Sequence, residues 1–142
     1  MRPKKYEKIN LNKVVSAMIK DVSKIRSNPA DNEKEFKDKN DKVYKKLFFT
    51  VTFALDEPIN DQTELFESYG FRIYPETKTV WYGGKESSCG KLIDVLIKNI
   101  PELSETPNPP EIRAALLGRK VKIVSESFGP NKSQKIMIAS FI

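Results

Sequence analysis

The 142-residue sequence predicts a mainly β fold, and three observations carry it. Large apolar residues recur at every second position in Leu47, Phe49, Val51, Phe53 and Leu55, the period of a strand with one buried face. Two β-branched runs close the chain, residues 119–125 and 134–142. The turn-rich Ser127-Phe128-Gly129-Pro130-Asn131-Lys132-Ser133 joins them, which is the pattern of a hairpin. One helix separates that hairpin from the earlier strands. It begins at Ser87 or Ser88, continues through Leu92, Ile93, Val95, Leu96, Ile97 and Ile100, and stops at Pro101.

Taken in order, residues 1–13 carry Arg2, Lys4, Lys5, Lys8 and Lys13 with little to pack, and read as a basic N-terminal arm. Residues 14–142 are expected to form a single domain. Val14 to Val22 reads as its first strand, although Val15, Met18, Ile19 and Val22 also fit helical spacing. Residues 24–46 are polar and of mixed charge, and predict a long flexible loop. Asp56-Glu57-Pro58 ends the Leu47–Leu55 strand. Residues 69–82 form a long bent strand or a hairpin turning at Pro75-Glu76-Thr77-Lys78. Tyr69, Phe71 and Ile73 share one face there, and Gly70, Arg72 and Tyr74 the other. Trp81 is expected in the core and its neighbour Tyr82 outside. Residues 101–111 read as irregular, and Ile112 to Leu117 as one short helical turn closed by Gly118. Three strands, a helix between strands 3 and 4, and a terminal hairpin is the order of the five-stranded OB-fold, a Greek-key β-barrel. A swivelled α+β sandwich with the same order is the alternative.

Composition narrows the function. A net charge of +6 and a pI near 9.3 favour polyanionic partners, although a basic protein without such a partner shares these values. The absence of histidine removes the commonest general base, the Ser–His and Cys–His pairs and the His-containing zinc sites. Cys89 is the only cysteine, so no intrachain disulfide forms, as in a reducing cytoplasmic setting. No run approaches the roughly 20 apolar residues of a membrane span, and the basic start is not followed by a secretory apolar stretch. Asp56, Glu57, Asp61, Glu64 and Glu67 form the one cluster suited to Mg²⁺, yet no lysine at nuclease spacing accompanies it. Gly83-Gly84-Lys85 is too short for a phosphate loop. Solvated carboxylates and a structural Cys89 are the simpler account. The sequence therefore predicts a binding protein with no catalytic residue, metal or cofactor.

From Phe71 to Ile142 the chain resembles phage and mobile-element OB-fold proteins of the single-stranded-DNA-binding type. The residues that carry the resemblance are the aromatic strand ending in Trp81-Tyr82, the helix start Ser87-Ser88-Cys89-Gly90-Lys91-Leu92 and the run from Leu116 to Ile123. The segments Val14–Val22 and Phe48–Pro58 fit the first two strands of that pattern. The resemblance implies an OB-fold and single-strand binding, with DNA favoured over RNA.

Such binding needs cations that follow phosphates and rings on which bases stack. Phe48 lies opposite the apolar face of its strand, which suits stacking, packing under the loop or an oligomer interface. Tyr44, Lys45 and Lys46 lead into it. Arg72 and Tyr74 share a face on the next strand. Phe128, Lys132 and Lys135 cluster at the terminal hairpin, as a contact or as a plug for one end of the barrel. Lys120 and Lys122 extend a basic stripe or protect a strand edge. The competing expectation is a protein-interaction subunit of a viral or plasmid replication or packaging assembly, a homo-oligomer among its forms.

Overall fold

The computed structural model describes residues 9–31, 34–84 and 86–142. Its strands are β1 (Val15–Val22), β2 (Phe36–Lys37), β3 (Val43–Ile59), β4 (Gln62–Tyr74), β5 (Thr79–Trp81), β6 (Lys120–Phe128) and β7 (Ser133–Phe141). Two helices, α1 (Ser88–Asn99) and α2 (Pro109–Leu116), lie between β5 and β6. The protein is mainly β. Among the described residues one antiparallel sheet runs in the order β5-β4-β3-β1-β6-β7, with β2 pairing onto β3.

The period-two pattern of the sequence survives in the core. Phe49, Val51 and Phe53 of β3 point inward with Leu65, Tyr69 and Phe71 of β4 and Val121 and Ile123 of β6. A register shift between Ile19 and Asp21 turns β1, so that Ala17, Ile19 and Val22 are all buried while Lys20 and Asp21 are exposed. α1 lies against β7 and β4 and buries Cys89, Leu92, Ile93 and Leu96. Ser87 caps it by accepting the Gly90 N–H at 3.0 Å. Gly90 is required there, because a Cβ would stand 2.1 Å from the Gly84 carbonyl oxygen.

The sequence expectation departs from the structure at several places. The strand that begins at Leu47 in the sequence reading starts at Val43 and runs through Asp56-Glu57-Pro58 to Ile59. It then turns at Asn60 and Asp61, whose φ values of 49° and 63° make a tight two-residue hairpin. β4 therefore begins at Gln62, and the acidic residues 61–67 lie on the turn and a strand instead of a loop. The 24–46 segment is not a plain flexible loop: it holds a 3₁₀ turn at Pro29–Asp31, strand β2 and the start of β3. Its tip is built on Asp38, whose carboxylate accepts the Asn40 and Lys42 N–H groups at 2.8 and 2.9 Å.

The short helical turn expected at Ile112–Leu117 is the end of a second full helix, α2. Asn108 and Glu111 form a reciprocal capping box and Pro109-Pro110 occupy the first helical positions, which starts α2 inside the stretch expected to be irregular. Residues 1–8 of the expected arm lie outside the described residues, but its end packs. Leu11 is buried, its N–H donates to Ser125 Oγ at 2.7 Å, and its carbonyl accepts the Ser125 N–H at 3.2 Å.

Last, the sheet is open and is not the closed five-stranded barrel expected. β4 and β7 share no backbone ladder. Side chains of β4 occupy the seam instead. Glu67 accepts the Ile136 N–H at 2.8 Å and Tyr69 donates its hydroxyl to the Ile136 carbonyl. Lys135 donates to the Ser68 carbonyl at 3.1 Å and pairs with Glu67 at 3.5 Å.

Candidate nucleic-acid interface

Register decides what stands beside what on the outer face of β3, β4 and β5. Lys46 is opposite Arg72, and Arg72 is opposite Trp81, so the three form a row across three strands. The row continues into ring contacts. The Arg72 guanidinium lies 4.1 Å from the Tyr44 ring centroid and 4.8 Å from that of Trp81. Lys46 Nζ lies 4.4 Å above Phe36, which stacks on Tyr44 at 5.8 Å. Tyr74 meets Tyr44 at 5.9 Å and donates its hydroxyl to Asp38 at 3.1 Å. Through Phe36 and Asp38 residues 34–42 are thus docked beside the row.

Asp38 serves as an anchor for that segment. The Lys42 N–H, and with it the Asn40 N–H and the Tyr74 hydroxyl, holds its carboxyl below the usual range against the opposing effect of desolvation. Tyr44 is buried within the cluster, whereas Trp81 is 48% exposed. Among the described residues no carboxylate forms a salt bridge with Arg72, Lys45 or Lys46. Their charge is available to an outside anion.

The Arg72–Trp81 pair is also a wall between two clefts. One, of about 430 Å³, runs past Lys46, Gly70, Gly83 and Glu86. The other, of about 650 Å³, is lined by Lys37, Asp38, Lys39, Asn40 and Tyr74. A larger cleft of about 810 Å³ lies by the far end of β3, between residues 9–16 and Asp56–Ile59. The carboxylates of Asp56 and Glu57 there would repel phosphate.

Of the residues singled out in the sequence, Tyr44, Lys46, Arg72 and Tyr74 come together, whereas Lys45 stands opposite Ile73 on the other face of β3. Phe48 is the next outward residue after Lys46, half-buried and opposite Gly70, with its backbone paired to Arg26 at 2.8 and 2.9 Å. Lys120 and Lys122 are exposed on β6 but do not join the group. Lys120 pairs with Met18, and Met18 with Ala54, eight residues along β3 from Lys46. At about 3.3 Å per residue that is roughly 26 Å.

The terminal hairpin is not assembled as a binding cluster. Phe128 is half-buried against the core, with Lys91 Nζ 6.0 Å from its ring centroid. Lys135 is committed to the β4–β7 seam, and Lys132 sits exposed in the turn at φ 50°.

The expectation that Trp81 is core and Tyr82 exposed is reversed. The turn at residues 75–78 pairs Tyr74 with Thr79, which fixes Trp81 opposite outward-facing Arg72. Tyr82 falls inward onto Phe71 at 5.5 Å and donates to the Pro107 carbonyl. Counting outward from that turn would have found Trp81 in the sequence. No local signal marked Phe36, which reaches the site only because β2 folds back on β3.

Elsewhere the chemistry is quiet. Burial pushes the Cys89 thiol up to about 12, so it stays protonated near neutral pH and is a poor nucleophile. Glu64 pairs with Lys20 and Glu67 with Lys135. Among the described residues no three His, Cys, Asp or Glu side chains are grouped to hold a metal ion, and no helix is long and apolar enough to cross a membrane. The chain matches no protein-family model, and no curated protein matches its sequence.

Proposed function

We propose that this protein binds single-stranded nucleic acid, DNA in preference to RNA, on the outer face of β3, β4 and β5. The observation that carries the reading is the Lys46–Arg72–Trp81 row, unpaired cations set beside an exposed indole. Arg72 is held between two rings and its N–H donors remain free for phosphate oxygens, while Trp81 offers a face to a base. The net charge of +6 supports the same choice of ligand.

The strand order supports an OB-type arrangement. β1 lies between β3 and β6, with β4 and β7 next outward and α1 between the β4–β5 hairpin and β6. The missing fifth pairing is the β4–β7 seam bridged by Glu67 and Tyr69. In this arrangement the candidate face and the segment joining β1 to β3 occupy the positions that OB-folds use for oligonucleotides.

Trp81 is the only tryptophan, so its emission reports on this site alone. Titration with oligo-dT at low salt should quench it, with binding at micromolar protein that weakens steeply as salt rises. Arg72→Ala should weaken binding by about tenfold or more, since a charge-assisted contact is worth about 1.5–3 kcal/mol. Absence of binding by the wild-type protein would sink the proposal. A stable oligomer that shields Trp81 and ignores the oligonucleotide would turn the reading to an assembly role.

A further inference from the structure

Gly70 has no reason to be glycine that the fold supplies. It sits mid-strand in β4, exposed, without a positive φ, and an added Cβ would make only an ordinary 3.8 Å contact with the Leu47 carbonyl. Glycine in a strand interior gives up stability, and where neither bulge nor crowding explains it, it marks close approach from outside. What lies above Gly70 is the 430 Å³ cleft walled by Arg72 and Trp81. Gly83, two residues beyond Trp81, also lines this cleft. A flat bare floor beside an exposed indole has the shape of a nucleobase. Across the Arg72–Trp81 wall the second cleft sets Lys37 and Lys39 beside Asp38, whose carboxylate is engaged by the Asn40 and Lys42 N–H groups. Lys37 also lies 3.6 Å from Asp41, and the two lysines are the cleft's candidate phosphate contacts.

We propose that the Gly70 cleft takes one unpaired nucleobase, stacked against the Arg72–Trp81 wall, with a neighbouring phosphate of the same strand on the Lys37–Lys39 side. This rests on the single-strand reading above and adds where one nucleotide sits. A valine at position 70 fits a strand but fills the floor.

The test compares wild type, Gly70→Val, Gly70→Ala and Trp81→Ala by the anisotropy of dye-labelled oligo-dT at several salt concentrations, with Trp81 quenching followed in the variants that keep it and circular dichroism to check folding. Gly70→Val should bind at least about fivefold more weakly, the lower bound of losing one base–aromatic stack. It should show less Trp81 quenching at saturation and an unchanged salt slope, because no cation is removed. Gly70→Ala should give a smaller loss in the same direction, and settles the matter if the valine variant misfolds. Lys37→Ala with Lys39→Ala should do the reverse, flattening the salt slope while Trp81 is still quenched. If wild type binds, Trp81→Ala weakens binding and neither Gly70 variant does, the cleft is overturned and single-strand binding stands. If wild type does not bind, both proposals fall.

Discussion

Arg72 gains more from its neighbours than position. Between the rings of Tyr44 and Trp81 the guanidinium gains about 0.5–1 kcal/mol from each exposed cation–π contact, which limits its motion without neutralising it. Single residues of the core behave in the opposite way, because burial suppresses their charge. Cys89 is raised to about 12, and desolvation by burial also raises Tyr69 and Tyr82, with Glu67 adding to the first and Cys89 to the second. In each case the folded state holds its proton to higher pH than the unfolded chain. The stability they contribute is intact below the unfolded values, 9.0 for the thiol and 10.0 for the phenols, and is lost as pH rises above them. Thermal midpoints should therefore be level from pH 7 to 8.5 and fall between pH 9 and 10, with one such group contributing up to about 1.4 kcal/mol per pH unit. A midpoint unchanged up to pH 10 would show that Cys89 is not buried as described. The period-two pattern made Tyr69 legible in the sequence, along with Phe49, Val51 and Phe53 of β3. Trp81 and Tyr82 were misassigned because parity carries no sign until a turn fixes the register.

Elements were legible where their stabilisation is local. The β6–β7 hairpin, α1 and the centre of β3 are all visible as pattern, since alternation, a cap and a proline stop act over a few residues. The ends of β3 were not. Residues 43–46 and 56–59 each carry two charged residues that break the apolar alternation, and they join the strand because β2, β4 and the Asn60-Asp61 turn supply partners. The seam between β4 and β7 was beyond reach for the same reason, as it depends on residues 67 and 69 meeting residue 136. That seam makes an element-scale prediction. Tyr69 is fully buried and its hydroxyl serves the Ile136 carbonyl, so Tyr69→Phe strands a buried acceptor at a cost of about 1–3 kcal/mol. Urea unfolding should show a lower midpoint with an unchanged slope. Stability equal to wild type would mean that the hydroxyl does not help to hold the two edges together.

At the scale of the whole molecule the question is whether binding follows net charge or a particular face. Two pairs of positive residues stand apart on the sheet: Lys46 and Arg72 beside the aromatic cluster, and Lys120 and Lys122 on β6, roughly 26 Å away along β3 alone. Removing either pair takes the same two charges from the net +6, so a mechanism driven by the overall field would weaken binding equally in both variants. Contact at the face treats them differently. Each phosphate neutralised on a single strand contributes about 0.7 to the slope of log affinity against log salt. Lys46→Ala with Arg72→Ala should therefore lower that slope by about 1.4, and Arg72→Ala should also lose its hold on Trp81. Lys120→Ala with Lys122→Ala should leave the slope and the Trp81 quench intact and change affinity by no more than about twofold, the residual effect of the screened field. Equal losses in the two double variants would show that the protein attracts nucleic acid without a defined face. A loss confined to Lys120 and Lys122 would move the interface to β6.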